Sequence, residues 1–198
     1  MRTLTLLLCL VATAAIALAQ NKPAPAPPQE PPKAAVPLSQ GIPLIAFDKK
    51  AYGYLKDVLL RSAEKMPEEN YAFKPTDTVR SFGQILGHVA DSQYYFCSRV
   101  LGEKNPDPKI EQTKTSKADL IGALKDAFTY CDKAYGGMTD TSATEMVKVF
   151  GEDTPKVDVL TINNMHTVEH YGNLVTYMRM KNIVPPTSEP ASQPQPKK

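Results

Sequence analysis

Tryptophan is absent from these 198 residues, and histidine and cysteine occur only three times each. Scarcity of that kind narrows the chemistry. Any imidazole-based metal binding or acid–base catalysis must fall on His88, His166 and His170. There is no Cys-x-x-Cys pair, which excludes thioredoxin-like dithiol exchange. The formal net charge is only +2, and no basic run interrupts the body of the chain. Nucleic acid and anionic membrane surfaces both demand concentrated positive charge, so neither is an expected partner. No internal repeat is visible. The 42% hydrophobic content suffices for one domain with a real core.

The first segment reads as an export signal. Arg2 gives a positive start, an apolar run extends from Leu4 to Leu18, and Ala17-Leu18-Ala19 supplies a small-x-small cleavage site. The run is short of the roughly 20 residues a transmembrane helix needs. The expectation is a signal peptide over 1–19 and a secreted or periplasmic mature chain, with no membrane association after cleavage. Export leaves Cys97 and Cys131 as an even pair in an oxidising compartment. They read either as a disulfide or as two buried thiols, and spacing does not choose between them.

Proline sets the boundaries. Of 18 prolines, 8 lie between Pro23 and Pro43 and 5 from Pro185 onward. Residues 20–43 therefore read as an extended, disordered linker and residues 185–198 as a disordered tail. The folded domain is expected over 44–184.

Within it the apolar period is helical. A first helix is predicted from Leu44 to Lys65, with Phe47, Ala51, Tyr54, Leu55, Val58 and Leu59 in its stripe. Met66-Pro67 stops it. A second runs from Val79 to Leu101 and ends at Gly102. A third begins at Ser116, a good N-cap with Asp119 three residues on, and ends at Gly136-Gly137. The segment Ala143–Phe150 is ambiguous between helix and strand. A fourth helix runs from Val157 to Lys181 and is apolar most of the way round, which predicts deep burial. Four such helices imply an all-α four-helix bundle, although binary pattern cannot fix the order of packing.

His166 and His170 stand at i and i+4, about 40° apart around the helix axis and one turn apart along it. Two imidazoles so placed can grip one ion from the same side. His88, in the second helix, is the only other imidazole in the chain. Nitrogen ligands of this kind suit Zn²⁺ or Ni²⁺. Gln84, Tyr95 and Arg99 fall within about 40° of His88 on a helical wheel, and form either a substrate-pocket wall or a solvated face. Asn163, Asn173 and Tyr177 share the histidine face of the last helix. Asn163 and Asn173 are candidates to orient the imidazoles. Gln84, Tyr95, Arg99, Asn163 and Tyr177 are the candidate pocket residues.

The stretch Ser81-Phe82-Gly83-Gln84-Ile85-Leu86-Gly87-His88-Val89-Ala90-Asp91, followed about 80 residues later by His-x-x-x-His, resembles the DinB family (DinB/YfiT-like superfamily). Tyr71-Ala72-Phe73-Lys74-Pro75 is similar to that family's approach to its second helix. The resemblance covers roughly 44–182. It implies a four-helix bundle in which His88, His166 and His170 hold one divalent ion. It further implies activity akin to thiol-dependent S-transferases that use mycothiol or bacillithiol, which are cytoplasmic cofactors.

Other readings compete. His166-Thr167-Val168-Glu169-His170 also fits the inverted zinc-peptidase pattern His-x-x-Glu-His, but that pattern requires a distant downstream carboxylate, and only 28 residues follow His170. A di-iron bundle needs two Glu-x-x-His units, and no such pair occurs. A non-catalytic exported module with a structural ion would need a fourth protein ligand, for which Asp91 and Glu169 are candidates. The expectation is an exported protein with one three-histidine divalent metal site, serving a hydrolase or transferase reaction on a small molecule. A homodimer is compatible with the pattern.

Overall fold

The computed structural model describes residues 45–190. The expected signal peptide and linker (1–43) lie outside the described residues, as do residues 191–198 of the expected tail.

Four long helices build the domain: α1 (Ala46–Lys65), α2 (Phe82–Leu101), α4 (Lys117–Gly137) and α6 (Lys156–Met180). Two single turns, α3 (Ile110–Thr113) and α5 (Asp140–Ala143), and a two-stranded hairpin, β1 (Met146–Val149) and β2 (Glu152–Pro155), occupy the connections. α1 and α2 each pack against both α4 and α6, so the order around the bundle is α1, α4, α2, α6. Among the described residues no helix is long and apolar enough to cross a membrane.

The helix limits follow local chemistry. α1 stops where Met66 turns extended ahead of Pro67. α2 begins at Phe82 rather than Val79, because Ser81 closes a reciprocal capping box with Gln84. Gly102 ends it in the left-handed region. Ser116 caps α4 by accepting from the Asp119 amide at 3.1 Å. The ambiguous segment 143–150 divides between the end of α5 and β1. The hairpin turn is Phe150-Gly151, with φ of 52° and 91°. Positive φ at both central residues is the geometry whose twist matches that of paired strands.

Leu59, Phe82, Leu86, Leu124, Phe128, Leu160 and Leu174 sit at the centre of the core. Phe47 and Tyr54, expected in the buried stripe of α1, instead face outward. α6 is less uniformly buried than its composition predicts, since Met165 and Val168 are exposed. Polar groups also cross the interior. Asp48 bonds Thr161 and Asn164, and Asn163 donates to Gln93 at 2.9 Å and to the Tyr135 hydroxyl at 3.1 Å. Cys97 and Cys131, both fully buried, join α2 to α4 through a disulfide with a Cα–Cα separation of 5.3 Å.

Packing extends past the expected boundary at 184. Residues 186–188 form a 3-10 turn in which Pro186 is buried and Thr187 accepts a hydrogen bond from the Tyr171 hydroxyl at 3.0 Å. Glu189 then pairs with both Arg61 and Lys65. Proline composition alone could not reveal these attachments, because they depend on partners far away in sequence.

Candidate metal centre

α2 and α6 lie side by side, and their three histidines meet across the interface. His166 Nε2 lies 3.0 Å from His88 Nε2 and 3.1 Å from His170 Nε2. Two nitrogens each bound at about 2.0–2.1 Å to a shared ion stand roughly 3.0–3.4 Å apart. The observed separations therefore fit one ion. They fit mutual hydrogen bonding less well, because a single Nε2 offers either one proton or one lone pair, not a bond to each neighbour. The ligand atoms of all three residues lie within 4.8 Å of one another, and these three could hold a metal ion.

Burial prepares two of the imidazoles for that task. Desolvation, helped by the neighbouring His170, His88 and Arg80, lowers the pKa of His166 to about 4. Desolvation, followed by His88, also lowers that of His170. Both rings are therefore neutral at neutral pH, as a metal ligand must be.

Glu111, which lies in neither histidine motif, orients the third ring. Its Oε2 accepts from His88 Nδ1 at 3.0 Å. A proton held on Nδ1 leaves the Nε2 lone pair free to face the cluster. Arg80 grips the other carboxylate oxygen at 2.8 Å, and the backbone oxygen of Arg80 accepts from the Tyr177 hydroxyl at 3.0 Å. Asp91 fixes the start of α3 by accepting from the amides of Ile110 and Glu111 at 2.9 and 3.0 Å. Asp91 is thus a cap and not a fourth ligand.

The approach of α3 to α2 depends on Gly87. A Cβ at that position would stand 2.7 Å from Glu111 Cα and 2.9 Å from Glu111 N. The residue beside His88 is therefore bare because backbone occupies the space a side chain would need. His166 Nδ1 and His170 Nδ1 are buried without a hydrogen-bond partner, so Glu111 is the sole anchor of this kind in the cluster.

The candidate pocket residues separate into two groups. Gln84 and Tyr177 line a cavity of about 580 Å³ together with His170, Lys74, Arg80 and Asn173. The Gln84 side chain also accepts from Ser81 N at 2.8 Å. Tyr95 and Arg99 pair with each other, with the guanidinium 5.2 Å from the ring centre, and border neither this cavity nor the apolar one beside His166. They share the azimuth of His88 but lie about 10 and 16 Å further along the helix. Asn163 is fully buried and bonded to Gln93 and Tyr135, so it belongs to the core and orients no imidazole. Sequence reasoning missed Glu111, Arg80 and Gly87. Nothing in the local pattern marks Glu111, which reaches the site through a single helical turn beside two left-handed residues, Asp107 and Lys109.

An all-α bundle with three imidazoles converging from two helices defines a class: helical bundles whose histidines could hold a metal ion. The chain belongs to the DinB superfamily, whose family model matches residues 54–174. It is similar to the uncharacterized protein YjoA of Bacillus subtilis (strain 168), with 25% identity over 130 residues, covering 63% of this chain and 82% of that protein. The fold is shared with the crystal structure of a DinB-like protein from Bacillus cereus ATCC 10987, at a TM-score of 0.63 and 16% identity, covering 70% of this chain and 93% of that one. The crystal structure of the DinB-like YjoA from Bacillus subtilis matches with a TM-score of 0.57 and 21% identity, covering 69% and 92%.

Proposed function

We propose that this protein is an exported metalloprotein that holds one divalent ion, Zn²⁺ or Ni²⁺, through His88, His166 and His170, and that it serves a hydrolase or transferase reaction on a small molecule. The observation that carries the reading is the convergence of three Nε2 atoms, with no carboxylate or thiolate among the described residues completing the group. A structural zinc site is normally closed by four protein ligands, whereas three leave room for water or substrate. An ion so bound supplies Lewis-acid polarisation or a water activated near neutral pH.

The chain's own residues would supply the rest. Glu111 keeps the His88 proton on Nδ1, and Arg80 holds Glu111 in place. Lys74 and Asn173 offer donors along the polar cavity beside His170, and the Tyr177 hydroxyl, its proton given to the backbone oxygen of Arg80, offers a lone pair. Export is supported by the sequence of residues 1–19 and by the buried Cys97–Cys131 disulfide, a bond typical of oxidising compartments. A binding module with a structural ion is the weaker reading, since Asp91, one of its two candidate ligands, caps α3.

Elemental analysis of protein purified without an affinity tag tests the centre. One equivalent of metal in the wild type, and its loss in His88→Ala, His166→Ala and His170→Ala, is the expected result. Equal metal content in all four proteins would refute the assignment.

A further inference from the structure

Around His166 most of the outward-facing side chains are apolar, Glu169 being the charged exception. Met165 is 66% exposed and Val168 54%, while Phe47 on α1 and Phe150 at the hairpin tip reach 78% and 72%. All four border one cavity of about 760 Å³, whose wall also includes Phe96, Glu169 and His166 itself. Exposed apolar side chains scattered singly need no explanation, but a cluster around a concavity marks a binding site. The volume lies within the roughly 300–1,000 Å³ typical of small-molecule sites.

Phe150 adds an independent argument. Its φ of 52° lies in the left-handed region, where a hairpin turn favours Asn, Asp or Gly. Its ring stacks on Tyr95 at 5.5 Å and meets Phe96 at 6.0 Å, yet remains largely in solvent, so folding gains little from it. A bulky residue kept in a strained conformation without a folding benefit points to function.

We infer that this cavity seats the apolar arm, aryl or alkyl, of a small molecule whose oxygen- or sulfur-donor head lies at the ion held by the three histidines. The inference rests on the metal-centre reading above. Continuity with the metal site favours a small molecule over a second copy of the chain. The cavity is concave, and a candidate ligand, His166, forms part of its wall. Glu169 borders both this cavity and the polar one beside His170, so apolar and polar spaces flank the same stretch of α6. The substrate class is therefore amphipathic: one greasy arm and one metal-binding head.

Two hydroxamates test this, since both present the same head to a metal. Their binding to the Zn²⁺-loaded full mature protein is measured by calorimetry, with metal content determined for every sample. Benzohydroxamate should bind at least about tenfold more tightly than acetohydroxamate, because its ring adds buried apolar area. Val168→Lys and Phe150→Ser change exposed side chains. They should abolish that preference, read as the ratio of the two affinities in each variant, while the variants still bind one equivalent of metal. Bound metal with equal affinity for the two hydroxamates overturns the cavity assignment alone. A wild type that binds no metal overturns both readings. A dimer in sedimentation that Val168→Lys dissociates, with no hydroxamate preference, assigns the patch to self-association and likewise overturns the inference.

Discussion

Replacing Gly87 by Ala alters no ligand, no charge and no hydrogen-bonding group, yet it should weaken metal binding. The new Cβ would lie 2.7 Å from Glu111 Cα, 2.9 Å from Glu111 N and 3.3 Å from Ile110 C. Ordinary carbon contacts begin near 3.5 Å, so the backbone of α3 must retreat by roughly 0.8 Å. The His88–Glu111 hydrogen bond, now 3.0 Å, would then stretch beyond useful reach. Losing an outer partner of a metal-bound histidine typically costs 10- to 100-fold in affinity, about 1.4–2.8 kcal/mol. Helix propensity acts in the opposite direction, because Gly→Ala inside a helix ordinarily stabilises by about 1 kcal/mol. Gly122, on an open face of α4 with no atom near its missing Cβ, is the matched control. Gly122→Ala should raise the melting temperature and leave metal affinity alone. Gly87→Ala should lower affinity and fail to gain stability. Equilibrium competition against a chromogenic chelator, with thermal melts of the metal-free proteins, reads both effects. A Gly87→Ala protein that matches the wild type in affinity and the control in stability would refute the argument.

Glu111→Gln keeps the size of the side chain but removes its charge, so metal affinity should fall by about tenfold in the same competition assay. His166 is protonated near pH 4 in the folded protein and near 6.5 when unfolded. The unfolded chain therefore binds more protons between those values, and stability of the metal-free protein should decline as pH drops from 6.5 towards 4. Urea titrations at a series of pH values measure this, and flat stability over that window would contradict the burial of His166. The disulfide spans a sequence separation of 34. A Cys97→Ala/Cys131→Ala double variant should lose about 4 kcal/mol and roughly 10 °C in melting temperature, read by thermal unfolding.

The four long helices were legible in the sequence because each carries its own apolar period and its own stop signal, such as Met66-Pro67 or Gly102. The two candidate ligands on one helix were legible for the same reason: a spacing of four is a local fact. Joining His88 to them required either counting histidines or the family resemblance. What escaped was everything set by contact between distant segments. Glu111 meets His88 only because α3 folds back against Gly87. The hairpin at 146–155 was hidden because its strands are only four residues each and largely exposed, too short for a clear alternation. Asn163 was misplaced because azimuth on a helical wheel does not distinguish the core side of a site from its open side.

The disulfide has a companion in the histidine cluster when both are viewed as loop closures. One joins residues 34 apart and ties α2 to α4, and an ion shared by His88 and His166 would join residues 78 apart and tie α2 to α6. α2 then becomes a post to which two of the long helices are lashed. α1 has no such tie, and holds by packing and by non-covalent side-chain bonds, among them those of Asp48, Lys49, Tyr52, Lys56, Arg61 and Lys65. Under thermal or mechanical load α1 is the element positioned to leave first, taking Phe47 from the apolar cavity while the three imidazoles stay together. The part of the molecule that carries the three imidazoles would thus outlast the part of the cavity wall that α1 supplies, and amide exchange should be fastest along α1.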